Sequence, residues 1–321
     1  MAPVMQIVFS HPSSRPEAVA AIRDTSLPLM WLLGESDSLT SPYCTRSLMA
    51  EDVEVTALKW NGRVVGAYGS NANADYCWLA GIAPDDTAAS RSAQTRIAFE
   101  TLDHVLAQVG MNIRHVVRTW WYLDHMLDWY GEFNTVRNAY FQETGVWSAL
   151  VPASTGIGLA NPYGAALVAG AVAIRPKHPG VTITAVDSPL QCPATNYRSS
   201  FSRAVEIGTP DSRHLMISGT ASIAPDGTSA HLDDVLAQIR LTMEVVEAIL
   251  KSRAMNWSNT VRAIAYFRHS KDLSLLEPYC QERGITDLPV TLVQATVCRD
   301  DLLFELELDA VAQRWGGRAS S

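Results

Sequence analysis

Cysteine is scarce in this chain, and what there is does not cluster. Five cysteines (Cys44, Cys77, Cys192, Cys280, Cys298) are scattered over 321 residues with no CxxC spacing. Neither a disulfide framework nor a zinc site is therefore indicated. A basic stripe is also missing: 25 Lys and Arg face 33 Asp and Glu, for a net charge of −8. That balance argues against a nucleic-acid partner. No long apolar run occurs either. The most extended weakly polar stretch is Ala165 to Ile174, about half the length a helix needs to cross a bilayer. The N-terminal MAPVMQIVFSHPSSRP has no basic segment followed by an apolar one, so no signal peptide is expected. The class that remains is a soluble cytoplasmic globular protein. Its 47% hydrophobic content is ample for one large core or two ordinary ones.

What the sequence does have is an internal repeat. Residues 93–125 lie over residues 237–269 without a gap, matching Ala93/Ala237, Gln94/Gln238, Arg96/Arg240, Glu100/Glu244, Val117/Val261, Arg118/Arg262, Tyr122/Tyr266 and His125/His269. Most other positions exchange one apolar residue for another, as a duplicated domain would. In the second copy, Ile239, Met243, Val246, Ile249 and Leu250 fall at helical spacing and predict a helix from about 232 to 252. NTVRAIAYF reads as a strand, LSLLEPYCQERGI as a second helix, and VTLVQATVC and LLFELELDAVA as two further strands. The first copy follows the same order: TALKWNGRVVGAYG and WLAGIAP as one strand each, a helix over 90–109, VVRTWWYL, a helix over 125–144, then PASTGIGLANPYGAALVAGAVAI. The stretch RPKHPGVTITAVDSPLQCPATNYR reads as the linker. The fold class expected is α+β: two tandem domains, 1–180 and 181–321, each a mixed sheet with two helices on one face. The open faces of the two sheets should pack against each other.

The closing strand raises a question of its own. In FELELDAVA, Phe304, Leu306 and Leu308 alternate with Glu305, Glu307 and Asp309. A period of two gives one apolar face and one face of three carboxylates. On pattern alone the acidic face is solvated. The other reading is that it lines a pocket and that one acid is a catalyst. The matching stretch of the first copy, AALVAGAVAI, contains no acid.

The wording of several segments resembles the YjgF/YER057c/UK114 (Rid) family: SGTASIAPDGT, VRAIAYFRHSKDL and LFELELDAVA are similar to that family's glycine-turn strand, its central segment and its closing strand. The resemblance makes both domains Rid/chorismate-mutase-like; in that family the sheets pack with their neighbours into trimers, and ligand sites lie in clefts between subunits. Two fused copies, together with TWWYLDHMLDWYGEFNTVRNAYF, GIGLANPYGAALVAGAVAI and ATNYRSSFSRAVEI, resemble the chorismatases from about Leu27 to Ala312. Typical Rid imine deaminases carry an arginine after the proline that opens the penultimate strand. Here Pro289-Val290-Thr291 and Pro152-Ala153-Ser154 lack it, which argues against imine deamination.

The resemblance implies an enzyme that converts chorismate to 3-hydroxybenzoate and pyruvate. Net hydrolysis to a dihydroxycyclohexadiene carboxylate, or 4-hydroxybenzoate as a co-product, is the near alternative. An imine deaminase or a non-catalytic metabolite-binding module is the alternative of another class. Cleaving chorismate's enol ether needs a proton donor, which a carboxylic acid of raised pKa supplies. It also needs cations for two carboxylates, which arginine's fork fits best. No metal or organic cofactor is called for. The resemblance assigns the acid/base to Glu305 and a directing role beside the ring to Cys298, without thiolate chemistry. Tyr130, Arg137, Tyr197, Arg198 and Arg203 become candidates for substrate binding, and Ala221 for the pocket floor. Glu307 and Asp309 stay with the solvated surface, although Glu307 also fits the Rid family's acidic position. His125, His269 and the tryptophans Trp120, Trp121 and Trp129 are read as turn and core residues. The partner expected is the small molecule alone, with no nucleic acid or membrane, and the chain is either a monomer or a homotrimer.

Overall fold

The structure, a computed structural model, describes residues 2–10, 26–34, 43–49, 53–194 and 200–314, with the backbone alone at 2 and 43–49. Two six-stranded sheets carry the repeat. The first contains β4 (Val55–Trp60), β5 (Arg63–Ser70), β6 (Ala74–Ile82), β7 (Val116–Leu123), β8 (Ala153–Gly158) and β9 (Leu167–Pro176). The second contains β10 (Thr182–Val186), β11 (Ala204–Gly208), β12 (Ser212–Ala221), β13 (Thr260–Phe267), β14 (Val290–Gln294) and β15 (Phe304–Gln313). Their strand orders, β4-β5-β6-β9-β7-β8 and β10-β11-β12-β15-β13-β14, are the same topology. In each, one parallel pair (β7 with β8, β13 with β14) joins an otherwise antiparallel sheet. Helices α1 (Arg91–Ala107) and α2 (Tyr130–Thr144) cover the first sheet; α3 (Val235–Ser252) and α4 (Leu276–Glu282) cover the second.

Equivalent positions of the two copies do the same work. Ser90 and Asp234 cap α1 and α3 by accepting from the backbone N–H of Ala93 and Ala237. Gln94 is buried, donates to the carbonyls of Thr87 and Ala89, and accepts from Ala166 N. Gln238 donates to the carbonyls of His231 and Asp301 and accepts from Leu303 N. Each glutamine thus pins the loop before its helix to the residue that leads into the closing strand. Tyr122 and Tyr266 meet across the join, their hydroxyls 2.8 Å apart.

Four features depart from the sequence reading. TALKWNGRVVGAYG is a hairpin rather than one strand: it turns at Asn61-Gly62, both left-handed (φ 47° and 79°), so β4 and β5 flank it. The stretch read as a linker contains β10, an edge strand paired with β11. Its mostly exposed side chains hide it from a hydrophobic pattern. Strand β14 ends at Gln294, so Cys298 lies in the turn beyond it instead of on the strand. Finally, β1 (Ala2–Ser10), β2 (Leu29–Leu33) and β3 (Tyr43–Met49) form a separate three-stranded sheet in the order β2-β1-β3. Val4, Met5, Ile7, Phe9, Met30 and Leu32 from it enter a central core shared with both large sheets. We propose the division between the two copies near residue 180, between β9 and β10, with β1–β3 as a third wall.

The acidic strand is where expectation and structure differ most. Phe304, Leu306, Leu308 and Ala310 lie under the second copy's helices. Glu305, Glu307 and Asp309 on the other face are 4%, 0% and 8% exposed. The face is not solvated, because the first copy's sheet is packed on it. Periodicity reveals which residues share a face and is silent on what covers that face.

Candidate active site

A cavity of about 420 Å³ opens where the two copies meet. Helix α2 provides one wall. Tyr130, Asn134, Arg137 and Asn138 are spaced by four, three and one, so one helix face presents all of them to the cavity. Arg137 is 2% exposed; its Nη2 donates to Asn134 Oδ1 at 2.6 Å and its guanidinium lies over the Phe133 ring. Strand β8 adds Ser154 and Gly156. A side chain at Gly156 would come within 3.3 Å of the Tyr130 hydroxyl, so that glycine leaves room for the phenol.

The second copy provides the floor. Gly219 and Ala221 come from β12, Cys298 and Arg299 from the turn after β14, and Glu305 from β15. Phe201 and Arg203 arrive from the segment before β11. Arg203 is 3% exposed and donates through both Nε and Nη2 to the Cys192 carbonyl. Arg299 donates to the Gly227 carbonyl at 2.9 Å, tying the Cys298 turn to the turn after β12.

A bulge in β12 shapes the space for Glu305. The pairing of β12 with β15 slips between Ile217 and Thr220, and Gly219 sits in the slip. A Cβ on Gly219 would collide with Glu305 Oε1. Two bonds from the first copy hold the bulge: Ser154 N donates to Ser218 Oγ at 2.9 Å, and Gly219 N donates to Thr155 Oγ1 at 3.0 Å. The same Thr155 oxygen accepts from Arg118 Nη2 at 2.6 Å.

Burial raises the Glu305 carboxyl to about 8, with the adjacent charge of Glu307 adding to it against the pull of Arg118 and Arg203. Glu305 is therefore a protonated acid at neutral pH. Burial, reinforced by Glu305, likewise pushes the Cys298 thiol up to about 12, so Cys298 is a neutral thiol and no nucleophile.

Of the residues singled out from sequence, Tyr130, Arg137, Arg203, Ala221, Cys298 and Glu305 converge on this one cavity. Tyr197 and Arg198 lie outside the described residues. Sequence reasoning missed Asn134, Gly156, Gly219 and Arg299. The spacing of α2 could have yielded Asn134, which shares a face with Tyr130 and Arg137. Gly219 stood in the SGTAS segment already singled out.

Residues 70–162 match the family model described as Endoribonuclease L-PSP, the Rid domain, and the match falls on the first copy. A protein named chorismatase from Streptomyces hygroscopicus is 26% identical over 60% of this chain and 60% of its own length. A 3-hydroxybenzoate synthase from the same organism is 26% identical over 66% of this chain and 68% of its own length. A crystal structure of a chorismatase superposes with a TM-score of 0.73 at 19% identity, covering 96% of this chain and 92% of that one. The chain is a homologue of the chorismatases on a duplicated Rid fold. The similarity to that chorismatase structure takes in both six-stranded sheets, since it covers nearly the whole chain. By sequence, the chain spans about 60% of the length of the first chorismatases it matches.

Proposed function

We propose that this protein converts chorismate to pyruvate and 3-hydroxybenzoate, with Glu305 as the general acid and base. One observation carries the reading: a buried carboxyl that keeps its proton at neutral pH stands on the floor of a cavity also lined by Arg137, Arg203 and Arg299. A dianion with an acid-labile enol ether is the substrate such a site suits. The relatives named chorismatase and 3-hydroxybenzoate synthase support the same class.

In the proposed step, Glu305 gives its proton to the methylene carbon of the enolpyruvyl arm. The arm becomes an oxocarbenium ion, and the ether oxygen becomes a leaving group. The ring hydroxyl next to the ether carbon attacks that carbon. The ring carbon–oxygen bond breaks, pyruvate departs as the ketone, and the hydroxyl proton returns to the Glu305 carboxylate. The resulting arene oxide opens to 3-hydroxybenzoate, and the atoms and charge of chorismate are conserved in the two products. Cys298, a neutral thiol beside Glu305, excludes water from the ring and so favours the internal hydroxyl.

Purified protein mixed with chorismate tests this reading, with released pyruvate coupled to lactate dehydrogenase and the ring product identified by chromatography. Pyruvate with 3-hydroxybenzoate is the result expected, and Cys298→Ala should then divert product toward the dihydroxycyclohexadiene. Pyruvate with the dihydroxycyclohexadiene from the wild type would keep chorismate as substrate and remove the role given to Cys298.

A further inference from the structure

The join between the copies holds more charge than the proton donor itself. The duplication supplied cations twice, as Arg118 on β7 and Arg262 at the equivalent place on β13. It left acids on one side only. In the paired registers, Tyr266 faces Glu305 where Tyr122 faces Val168, Ile264 faces Glu307 where Trp120 faces Gly170, and Arg262 faces Asp309 where Arg118 faces Val172. Two arginines thus meet three buried acids.

Hydrogen bonding decides which acids the arginines serve. Glu307 Oε2 accepts from Arg118 Nη2 and its Oε1 from Arg262 Nη1, each at 2.8 Å, while Trp120 Nε1 lies 3.0 Å from both oxygens. Asp309 accepts from Arg262 Nε at 2.9 Å. Arg118 and Glu307 are both 0% exposed. The two cations are matched by Glu307 and Asp309, and Glu305 is the third acid, bonded to neither arginine.

We propose that Glu307 is a positioning residue for proton transfer: fixed as an anion between Arg118, Arg262 and Trp120, it acts through Glu305, two residues along the same strand face, and obliges that carboxyl to hold its proton until substrate takes it. The inference rests on the reading of Glu305 as proton donor. An unpaired buried anion beside a fixed one is costly, and the protonated acid is the form that avoids the cost.

The remaining groups around Glu305 do not substitute for this effect. Tyr122 and Tyr266 are neutral phenols, pushed up by burial and bonded to each other. Cys298 is a neutral thiol, pushed up to about 12. Of the arginines that line the cavity, Arg203 donates to the Cys192 carbonyl, Arg299 to Gly227 and Arg137 to Asn134, and the Arg203 charge lowers Glu305 rather than raising it. Strands β12 and β8 present Gly219, Ala221 and Ser154, none of which titrates. After burial itself, the Glu307 charge is the leading influence that raises Glu305, and Arg118 leads the opposing ones.

The test pairs two readouts. One is the pH profile of kcat/KM for pyruvate release. The other is infrared titration of the protonated carboxyl in substrate-free protein, its band identified by loss in Glu305→Gln. Glu307→Gln should move both the alkaline limb and the band to lower pH by about one pH unit, a roughly tenfold loss of rate on the alkaline side. Arg118→Met should move both to higher pH. Its Nε and Nη1 meet no acceptor among the described residues, and Glu307 keeps Trp120 and Arg262 as partners in that variant, so Arg118→Met is a second, independent probe of the coupling. A merely structural role would lower the rate at every pH and leave the limb in place. The proposal is overturned if band and limb titrate at the wild-type pH in Arg118→Met and in any folded Glu307→Gln. If the band moves as expected while wild-type protein releases no pyruvate from chorismate, the coupling stands and the reading of function falls.

Discussion

Strands β9 and β15 occupy the same place in the two copies and are built from opposite material. Both are central strands, each flanked by a strand before the helix pair and one between the helices. Strand β9 reads LVAGAVAIRP and β15 reads FELELDAVAQ. Both are buried over most of their length. One fold position therefore accepts either an apolar face or three carboxylates, provided the opposite sheet and the neighbouring strand supply partners. Arg118 on the first copy supplies one across the join, and Arg262 on the second copy supplies the other. The lesson concerns division of labour. The first copy lends α2 and β8 as one wall of the cavity, and the second copy lends the acid.

The comparison can be broken by giving the first copy an acid of its own. Val168→Glu puts a carboxylate at the counterpart of Glu305, in the central core where Val168 is 0% exposed. A loss of about 3–5 kcal/mol is expected, the cost of an uncompensated buried charge, measured as a fall in the denaturant midpoint. Gly219→Ala attacks the second copy instead. The added methyl collides with Glu305 Oε1, so kcat should drop about 10²-fold, as misplacement of a reacting group does, with the melting temperature nearly unchanged.

A pH series sharpens the comparison further. The folded Glu305 carboxyl keeps its proton up to about 8, whereas the unfolded one releases it near 4.5. Between those values the folded state binds the extra proton, so wild-type stability falls as pH rises. Glu305→Gln has no such group. Its melting temperature should gain on the wild type steadily across that window and run parallel above it. Burial also opposes the charge of Asp309, but Arg262, His214 and Arg118 outweigh it and hold that carboxyl low. Asp309→Asn should therefore show the reverse trend, losing stability relative to wild type as pH rises from the acid side. The smallest effect belongs to the tyrosine pair at the join. A Tyr122→Phe, Tyr266→Phe double-mutant cycle should return a coupling of about 1 kcal/mol.

Much of this was legible in the sequence, for identifiable reasons. The repeat was visible because Gln94/Gln238, Arg118/Arg262 and Tyr122/Tyr266 have fixed partners and cannot drift freely. Helix α3 was legible from periodicity because one face lies on its sheet, and strand β13 from its β-branched and aromatic residues. The third wall was not, since β1 pairs with β2 and β3 across unrelated segments that share no repeat. The fate of the acidic face was hidden for a similar reason. Glu307 is buried by Arg118 and Trp120, which are remote in sequence and belong to the other copy. Gly219 and Gly156 act by leaving space, and an absence of side chain carries no chemical signature until the neighbour it admits is known.

The central claim is that Glu305 donates the proton that cleaves chorismate, and one pair of assays tests it most directly. Pyruvate release from chorismate is followed for wild-type protein and for Glu305→Gln at neutral pH, with circular dichroism on both. The account predicts steady release by the wild type and a loss of about 10²–10⁴-fold in the variant, the range for removal of a general acid, with both proteins folded. Release by a folded Glu305→Gln at the wild-type rate, or none by the wild type above spontaneous breakdown, would contradict it.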